Sequence, residues 1–246
     1  MPERALRIAL VSLHTSPLAR PGTGDAGGMN VVVAALGEQL AARGHDVELL
    51  TRRTAADQPA TVRTPAGALV RFLEAGAPAA LRKEELPAIA PAFGAALAAL
   101  RPFDVLHAHY WLSALAAFPA AGPAARILSL HTVAALKNAT LATGDTPEPQ
   151  TRVAAERCLL GEADAVLAGS RAEAAAIARE LAPDERRGGV GGALRVVPPG
   201  VDTALFRPAV DGAGGRDALR AVFADLPPAV AARAATSGYL LSLIHI

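Results

Sequence analysis

The sequence predicts an α/β fold, a Rossmann-like parallel sheet with helices on both faces. Two observations carry this. Apolar runs of strand length alternate with longer helical patterns from residue 6 to residue 201, and that alternation implies parallel strands joined by covering helices. His14, His107, His109, Tyr110, His131, Thr132 and Ser170 fall at or just after the predicted ends of four such runs. Open α/β sheets gather their ligands beyond the carboxyl ends of the strands, so these residues point to one shared cleft.

The elements follow in order. LRIALVSL (6–13) reads as a buried strand and MNVVVAALGEQLAARG (29–44) as a helix stopped by Gly44. DVELLTR (46–52) is a second strand, and TVRT and ALVRFLE form a short hairpin or further strands. KEELPAIAPAFGAALAAL (83–100) is helical, with Pro87 and Pro91 marking a break or kink near its start. FDVLHAH (103–109) is a strand, YWLSALAAF opens a helix, and RILSLHT (126–132) is a strand. Residues 151–163 and 171–182 read as helices, 164–170 as a strand, and 194–201 as a strand and turn. Residues 184–195 and 208–217 are loops by composition, followed by a helical stretch (217–235) and the apolar run GYLLSLIHI (238–246). An apolar strand at a chain end lacks partners. The expected organisation is therefore a first lobe over 1–208, then a linker and the truncated start of a second lobe over 209–246.

Bulk properties exclude several classes. The net charge of +1 offers no basic footprint for nucleic acid or an anionic membrane. A single cysteine, Cys158, rules out an intrachain disulfide and a cysteine-rich metal site. It reads as a small buried hydrophobe. The N-terminal apolar run is too short for a signal peptide or membrane span, so the expected location is cytoplasmic.

The stretch LHTSPLARPGTGDAGGMNVVV (13–33) carries the chemistry. GTGDAG (22–27) fits G-x-G-x-x-G, but eight residues separate Leu13 from Gly22. A dinucleotide fingerprint needs the tight turn directly after the strand and an acid at the end of the next one. Here that strand ends LLTRR, with Glu48 in its middle. Glycines before a helix still let backbone N–H groups approach an anion. Asp25 suits a sugar or cyclitol hydroxyl, so the loop fits a phosphorylated polyol or a sugar nucleotide.

HTSPLARPGTGDAGGMN, HAHYWLS, HTVAALKNATLATGDTPEP and PPGVDTALFRP resemble the N-terminal lobe of family 4 retaining glycosyltransferases of the GT-B type. Within them, the D-inositol 3-phosphate glycosyltransferases of mycothiol biosynthesis are the most similar group. The resemblance spans roughly residues 6–208. It implies transfer of N-acetylglucosamine from UDP-N-acetylglucosamine, a co-substrate rather than a cofactor, to 1D-myo-inositol 3-phosphate. It also implies inositol phosphate contacts from His14, Asp25, Ala26, Gly27, Gly28, Met29, Asn30, Lys83, Tyr110, Thr132 and Arg152. Arg20, Pro21 and Gly28 match positions near the donor nucleotide, and His131 matches the histidine facing the reacting centre. No cofactor or metal is implied for this part, a homodimer is possible for the intact enzyme, and the piece alone is expected to be inactive. Arg20 stands where the family usually has glutamine, and Leu128 and Ser129 where it has a His-Thr pair. The alternatives are a sucrose-phosphate-synthase-like transferase and a phosphorylated-sugar binding module without catalysis.

Overall fold

The computed structural model describes residues 4–181 and 193–203. The expected linker, the 217–235 helix and the 238–246 strand lie outside the described residues, as does most of the 184–195 loop. The chain divides into two compact units, Met1–Pro199 and Gly200–Ile246. Every described strand and helix belongs to the first unit.

The strands are β1 (Arg7–Val11), β2 (Asp46–Arg52), β3 (Thr61–Arg63), β4 (Leu69–Leu73), β5 (Val105–His109), β6 (Ala125–Ser129), β7 (Ala165–Ala168) and β8 (Ala193–Val196). The helices are α1 (Gly28–Ala42), α2 (Leu86–Ala98), α3 (Trp111–Ala117), α4 (Ala134–Ala139), α5 (Gln150–Glu162) and α6 (Arg171–Leu181), with short 3-10 turns at Lys83–Glu85 and Phe118–Ala120. The strand order is β3-β4-β2-β1-β5-β6-β7-β8. All pairings are parallel except β3 with β4. The sheet is thus mixed at one edge, because the 61–73 segment closes as a hairpin.

Both faces are buried, as parallel strands require. On β1, Ala9 and Val11 join one core with Phe93 and Leu97 of α2, Leu112 and Ala116 of α3 and Leu160 of α5. Ile8 and Leu10 point the other way, into a core with Val33, Leu36 and Leu40 of α1. Pro87 sits in the first turn of α2, where its missing N–H costs nothing, and Pro91 lies inside the helix. The break expected there appears as the 3-10 turn that carries Lys83. Gly44 ends the α1 region with φ +88°.

Two readings are corrected. The 126–132 strand stops at Ser129, leaving His131 and Thr132 in the turn that leads to α4. Cys158 is exposed rather than buried. The inward face of α5 carries Arg152, Glu156, Leu159 and Leu160, which leaves Cys158 on the opposite side.

Chain order runs from β1 outward to β2 and β4, then returns to β5 on the other flank of β1. The carboxyl ends of β1 and β5 therefore border the point where strand order reverses, the crevice in which open α/β sheets bind ligands.

Candidate functional site

The loop after β1 is held from beneath. Asn30, buried in the first turn of α1, accepts the Gly27 N–H (3.1 Å) and donates to Thr15 Oγ1 (2.9 Å) and the Ser16 carbonyl (2.5 Å). Ser12 Oγ donates to the Thr15 carbonyl at 2.7 Å, and Ser113 Oγ accepts the Leu13 N–H at 3.0 Å. Gly22 (φ +83°) and Gly24 (φ +55°) take left-handed conformations, and the Gly22 N–H reaches the Ala26 carbonyl at 2.8 Å. The loop therefore presents the start of α1, where the Gly27 N–H is held by Asn30 and the Asn30 N–H by the Gly27 carbonyl (3.0 Å), and whose first turn holds no acid.

Tyr110 is the hub on the other side. Its N–H bonds the Ser129 carbonyl at 2.8 Å, extending the β5–β6 ladder, while its own carbonyl accepts the Ser113 N–H at 3.1 Å and starts α3. Strand becomes helix within this one residue, at φ 75° and ψ 153°. That region is essentially reserved for glycine and costs of order 1–3 kcal/mol for other residues. The ring packs against His14 (centroids 4.7 Å), with the Lys83 ammonium 5.8 Å and the Arg152 guanidinium 4.8 Å from its centroid. Lys83 also pairs with Asp25 at 2.7 Å. The anion-repelling carboxylate of the glycine loop thus has its own counter-ion.

Arg152 is 4 % exposed. Nε donates to Glu156 (2.7 Å), Nη1 to Glu148 (2.8 Å) and Nη2 to Thr132 O (3.1 Å) and Oγ1 (3.0 Å). Four of its five donors are thereby committed. Burial alone would lower its pKa, but the Glu156 and Glu148 carboxylates and Tyr110 outweigh that and raise it, so the guanidinium stays charged. Glu156 in turn accepts the Ala134 N–H at 2.8 Å. The pair on α5 thereby anchors the whole 132–134 turn. Lys137 of α4 also pairs with Glu148.

Behind this cluster lies a column of histidines. His107 Nε2 bonds Ser129 Oγ at 2.9 Å, the His107 and His109 rings lie 4.0 Å apart, and His109 Nδ1 bonds His131 Nε2 at 2.9 Å. Burial pushes His107 down to about 3, with the His131 charge adding to the effect. It pushes His131 down to about 4 and His109 well below the usual histidine range. His14 falls to about 3, from burial first and the Lys83 charge second. All four are neutral at pH 7. His131 takes a left-handed backbone (φ 60°), unusual for a bulky residue.

The structure gathers His14, Asp25, Lys83, Tyr110, Thr132 and Arg152 around one crevice, with His131 reached through Thr132 and His109. Other expected residues sit differently. His107 is mid-strand and buried, opposite Leu10 and Ile127, not at a strand end. Ser170 caps α6 by accepting the Glu173 N–H at 3.1 Å. The Asn30 amide is spent inside the loop, and the Met29 side chain packs on both cores. Ala26 is buried, and Arg20 and Pro21 lie in the turn before Gly22, where the Arg20 carbonyl accepts from Thr23 Oγ1 at 2.6 Å. Glu148, Glu156, Lys137 and the His109–His131 bond were missed by sequence reasoning. The Glu148, Arg152, Glu156 spacing of four was the available signal, as was the H-x-H alternation that puts His107 and His109 on one face. Glu48, by contrast, is buried and pairs with Arg71 at 2.6 Å and with Arg7, so it is turned away from any ribose. Among the described residues no group of His, Cys, Asp or Glu is arranged to hold a metal ion. No helix among them is long and apolar enough to cross a membrane.

Residues 27–200 match the model of the glycosyl transferase 4-like domain. The chain belongs to this glycosyltransferase family. A D-inositol 3-phosphate glycosyltransferase from Kineococcus radiotolerans is 45 % identical over 221 residues, covering 87 % of this chain and 49 % of the relative. One from Streptomyces bingchenggensis is 44 % identical, covering 92 % and 49 %. The chain thus spans about half the length of the curated relatives it matches. Among solved structures, sucrose-phosphate synthase from Thermosynechococcus elongatus superposes with a TM-score of 0.73 at 28 % identity, over 87 % of this chain and 52 % of that one. The catalytic domain of starch synthase IV from Arabidopsis thaliana (TM-score 0.53, 17 % identity, 85 % and 54 % covered) shares the fold. This family sheet is the Rossmann-like lobe the alternation of strands and helices predicts.

Proposed function

We propose that this chain supplies the acceptor-binding lobe of a retaining glycosyltransferase that moves N-acetylglucosamine from UDP-N-acetylglucosamine to 1D-myo-inositol 3-phosphate. The observation that carries the reading is the crevice where Lys83, Arg152 and His14 surround the Tyr110 ring, with Asp25 of the glycine loop paired to Lys83 on its rim. Lys83 is the mobile phosphate reader: its side chain is partly exposed and its partner carboxylate is too. An acceptor phosphate would take over that ammonium by a charge-assisted bond and release Asp25 to accept a ring hydroxyl. Arg152 holds a fixed positive charge beneath the crevice and keeps Thr132 in place. His131, neutral and oriented by His109, is the residue assigned to the reacting centre. It orients and accepts; no protein nucleophile is assigned. The Gly28 amide, next to a Gly27 N–H that is already held by Asn30, suits the departing diphosphate, with Arg20 and Pro21 near the nucleotide. Residues 1–208 are read as the acceptor lobe and 209–246 as the linker and start of the donor lobe. The same reading expects a cytoplasmic enzyme with small-molecule substrates, homodimeric if at all oligomeric.

Calorimetric titration of the chain with 1D-myo-inositol 3-phosphate, unphosphorylated myo-inositol and a hexose phosphate tests this. Lys83→Ala should weaken the inositol phosphate by about 1.5–3 kcal/mol, the range for hydrogen bonds to charged groups, and leave myo-inositol nearly unchanged. An equal loss for both acceptors would show that Lys83 does not read the phosphate. Tighter binding of the hexose phosphate would move the acceptor toward that of a sucrose-phosphate-synthase-like enzyme.

A further inference from the structure

The carboxyl end of the sheet carries a second concavity, between the 13–19 loop and the loop that follows β2. It measures about 320 Å³, at the lower end of what small-molecule sites occupy. Its polar lining includes His14, Ser16, Thr51, Arg52, Thr54 and Gln58 beside Thr15, and among the described residues no carboxylate lines it.

Arg52 is the anomaly. It is 3 % exposed, yet among the described residues its partners are neutral carbonyls: Arg53 O (3.2 Å) and Ala77 O (3.1 Å) from Nη1, and Ala79 O (2.6 Å) from Nη2. Neighbouring guanidiniums are treated otherwise. Arg53 pairs with Glu74, Arg71 with Glu48 and Arg152 with Glu148 and Glu156. A buried cation without a counter-ion is costly. One hydrogen on Nε and one on Nη2 remain beyond those three carbonyl bonds, and these two nitrogens form the edge that grips oxyanions in bidentate fashion.

Gln58 adds a second anchor. Its Oε1 accepts the N–H of Thr54 (2.6 Å), the N–H of Ala55 (3.0 Å) and the Thr54 hydroxyl (3.3 Å). Two backbone donors fix which end of the amide is oxygen, leaving the NH2 donors for another partner. The loop itself is stapled by Arg53, which donates to the carbonyls of Ala55 (3.3 Å), Ala56 (2.6 Å) and Gln58 (2.9 Å). The wall is thus formed before any ligand arrives.

We propose that this concavity is an oxyanion site for a phosphate group, free or esterified, with Arg52 and Gln58 as its anchors and Ser16 and Thr51 as hydroxyl donors. It is separate from the Lys83 crevice and shares only His14 with it, whose ring packs on Tyr110.

Gln58→Glu is the sharp variant. A glutamate keeps the oxygen that the 54–55 segment needs, but replaces two donors by negative charge. In phosphate-free buffer, titration of the full chain with inorganic phosphate should show binding that persists in Lys83→Ala. It should weaken at least tenfold in Lys83→Ala/Gln58→Glu, with the melting temperature of Gln58→Glu close to that of the parent. Repeating the titration with glucose 6-phosphate separates the sources: tighter binding than inorganic phosphate assigns an ester, equal or weaker binding the free ion. Loss of all phosphate binding in Lys83→Ala alone, or no effect of Gln58→Glu, overturns the proposal. The Gln58→Glu result does not bear on the inositol phosphate reading, whose test does not involve Gln58, whereas loss of all phosphate binding in Lys83→Ala would overturn this site and leave Lys83 as the phosphate reader.

Discussion

Arg7 and His131 stand at opposite ends of the same sheet and are treated in opposite ways. At the amino end, the Arg7 guanidinium bonds Glu48 and the carbonyls of Arg101 and Pro102, and lies 3.9 Å from the Phe103 ring centroid. Its N–H bonds Asp104 at 2.8 Å, and Glu48 also takes Arg71 at 2.6 Å. Charge meets counter-charge there, on ordinary backbone. At the carboxyl end, the non-glycine residues with positive φ are Tyr110 and His131. His14 Nδ1, His109 Nε2 and Trp111 Nε1 are buried there without hydrogen-bond partners, as is Arg7 Nε at the amino end, though that atom lies 3.3 Å from the Asp46 carboxylate. Strain and unmet polar groups persist only where the surroundings hold them, and they collect at functional sites. The amino end thus pairs its charges on unstrained backbone, while the carboxyl end, where the proposed site lies, carries the left-handed residues Tyr110 and His131.

The largest stability effect should therefore come from the amino end. Glu48→Ala leaves Arg7 and Arg71 without their shared buried carboxylate. Breaking a buried pair by removing one partner costs about 3–5 kcal/mol. Urea unfolding should register that loss, while the affinity of the folded variant for inositol phosphate stays at the parent level. A parallel fall in affinity would show that the two ends are not independent.

Acid should attack the other end. His14, His107 and His131 are held near 3, 3 and 4 in the fold, against about 6.5 in an unfolded chain. The unfolded state therefore binds more protons between those values. Stability is full above pH 6.5 and falls as pH drops towards 4, by about 1.4 kcal/mol per pH unit for each histidine neutral in the fold and charged in the unfolded chain. Denaturant midpoints measured from pH 7 to pH 4.5 check this. His107→Gln should flatten the slope, since it removes one titrating group from the column. A slope unchanged by that variant would mean that His107 is not kept neutral by its burial.

The same contrast explains what was legible in the sequence. The strand β2 and the turn at Gly44 could be read from local pattern, because apolar runs and a glycine stop are decided within a few residues. The gathering of His14, Tyr110, His131 and Thr132 was legible too, since parallel topology alone sends strand ends to one side. Resemblance supplied Lys83 and Arg152, which as isolated charges read as solvated. What could not be read was who partners whom. Arg152 buries itself among Glu148, Glu156 and Thr132, and Asn30 spends its amide inside the loop. Both depend on tertiary placement rather than on residue type. The left-handed backbone at Tyr110 and His131 was equally hidden, because neither residue type favours it.

That hidden strain gives the smallest effect and the finest test of the comparison. At His131, Gly and Ala substitutions both delete the imidazole and its bond to His109, so their difference isolates the backbone. A left-handed conformation costs an L-residue roughly 1–2 kcal/mol that glycine escapes. Glycine gives back about 0.5–1 kcal/mol through the greater freedom of its unfolded chain. His131→Gly should therefore be more stable than His131→Ala by about 0.5–1 kcal/mol. Ser129, two residues earlier on β6, supplies the control, since both substitutions there remove the same bond to His107 from a residue without positive φ. At Ser129 the sign should invert, with Ala the more stable by about 0.5–1 kcal/mol. Paired denaturation curves of the four variants decide it. If Ala equals or exceeds Gly at both positions, the turn at His131 is not strained, and the carboxyl end loses one of the features that set it apart from the amino end.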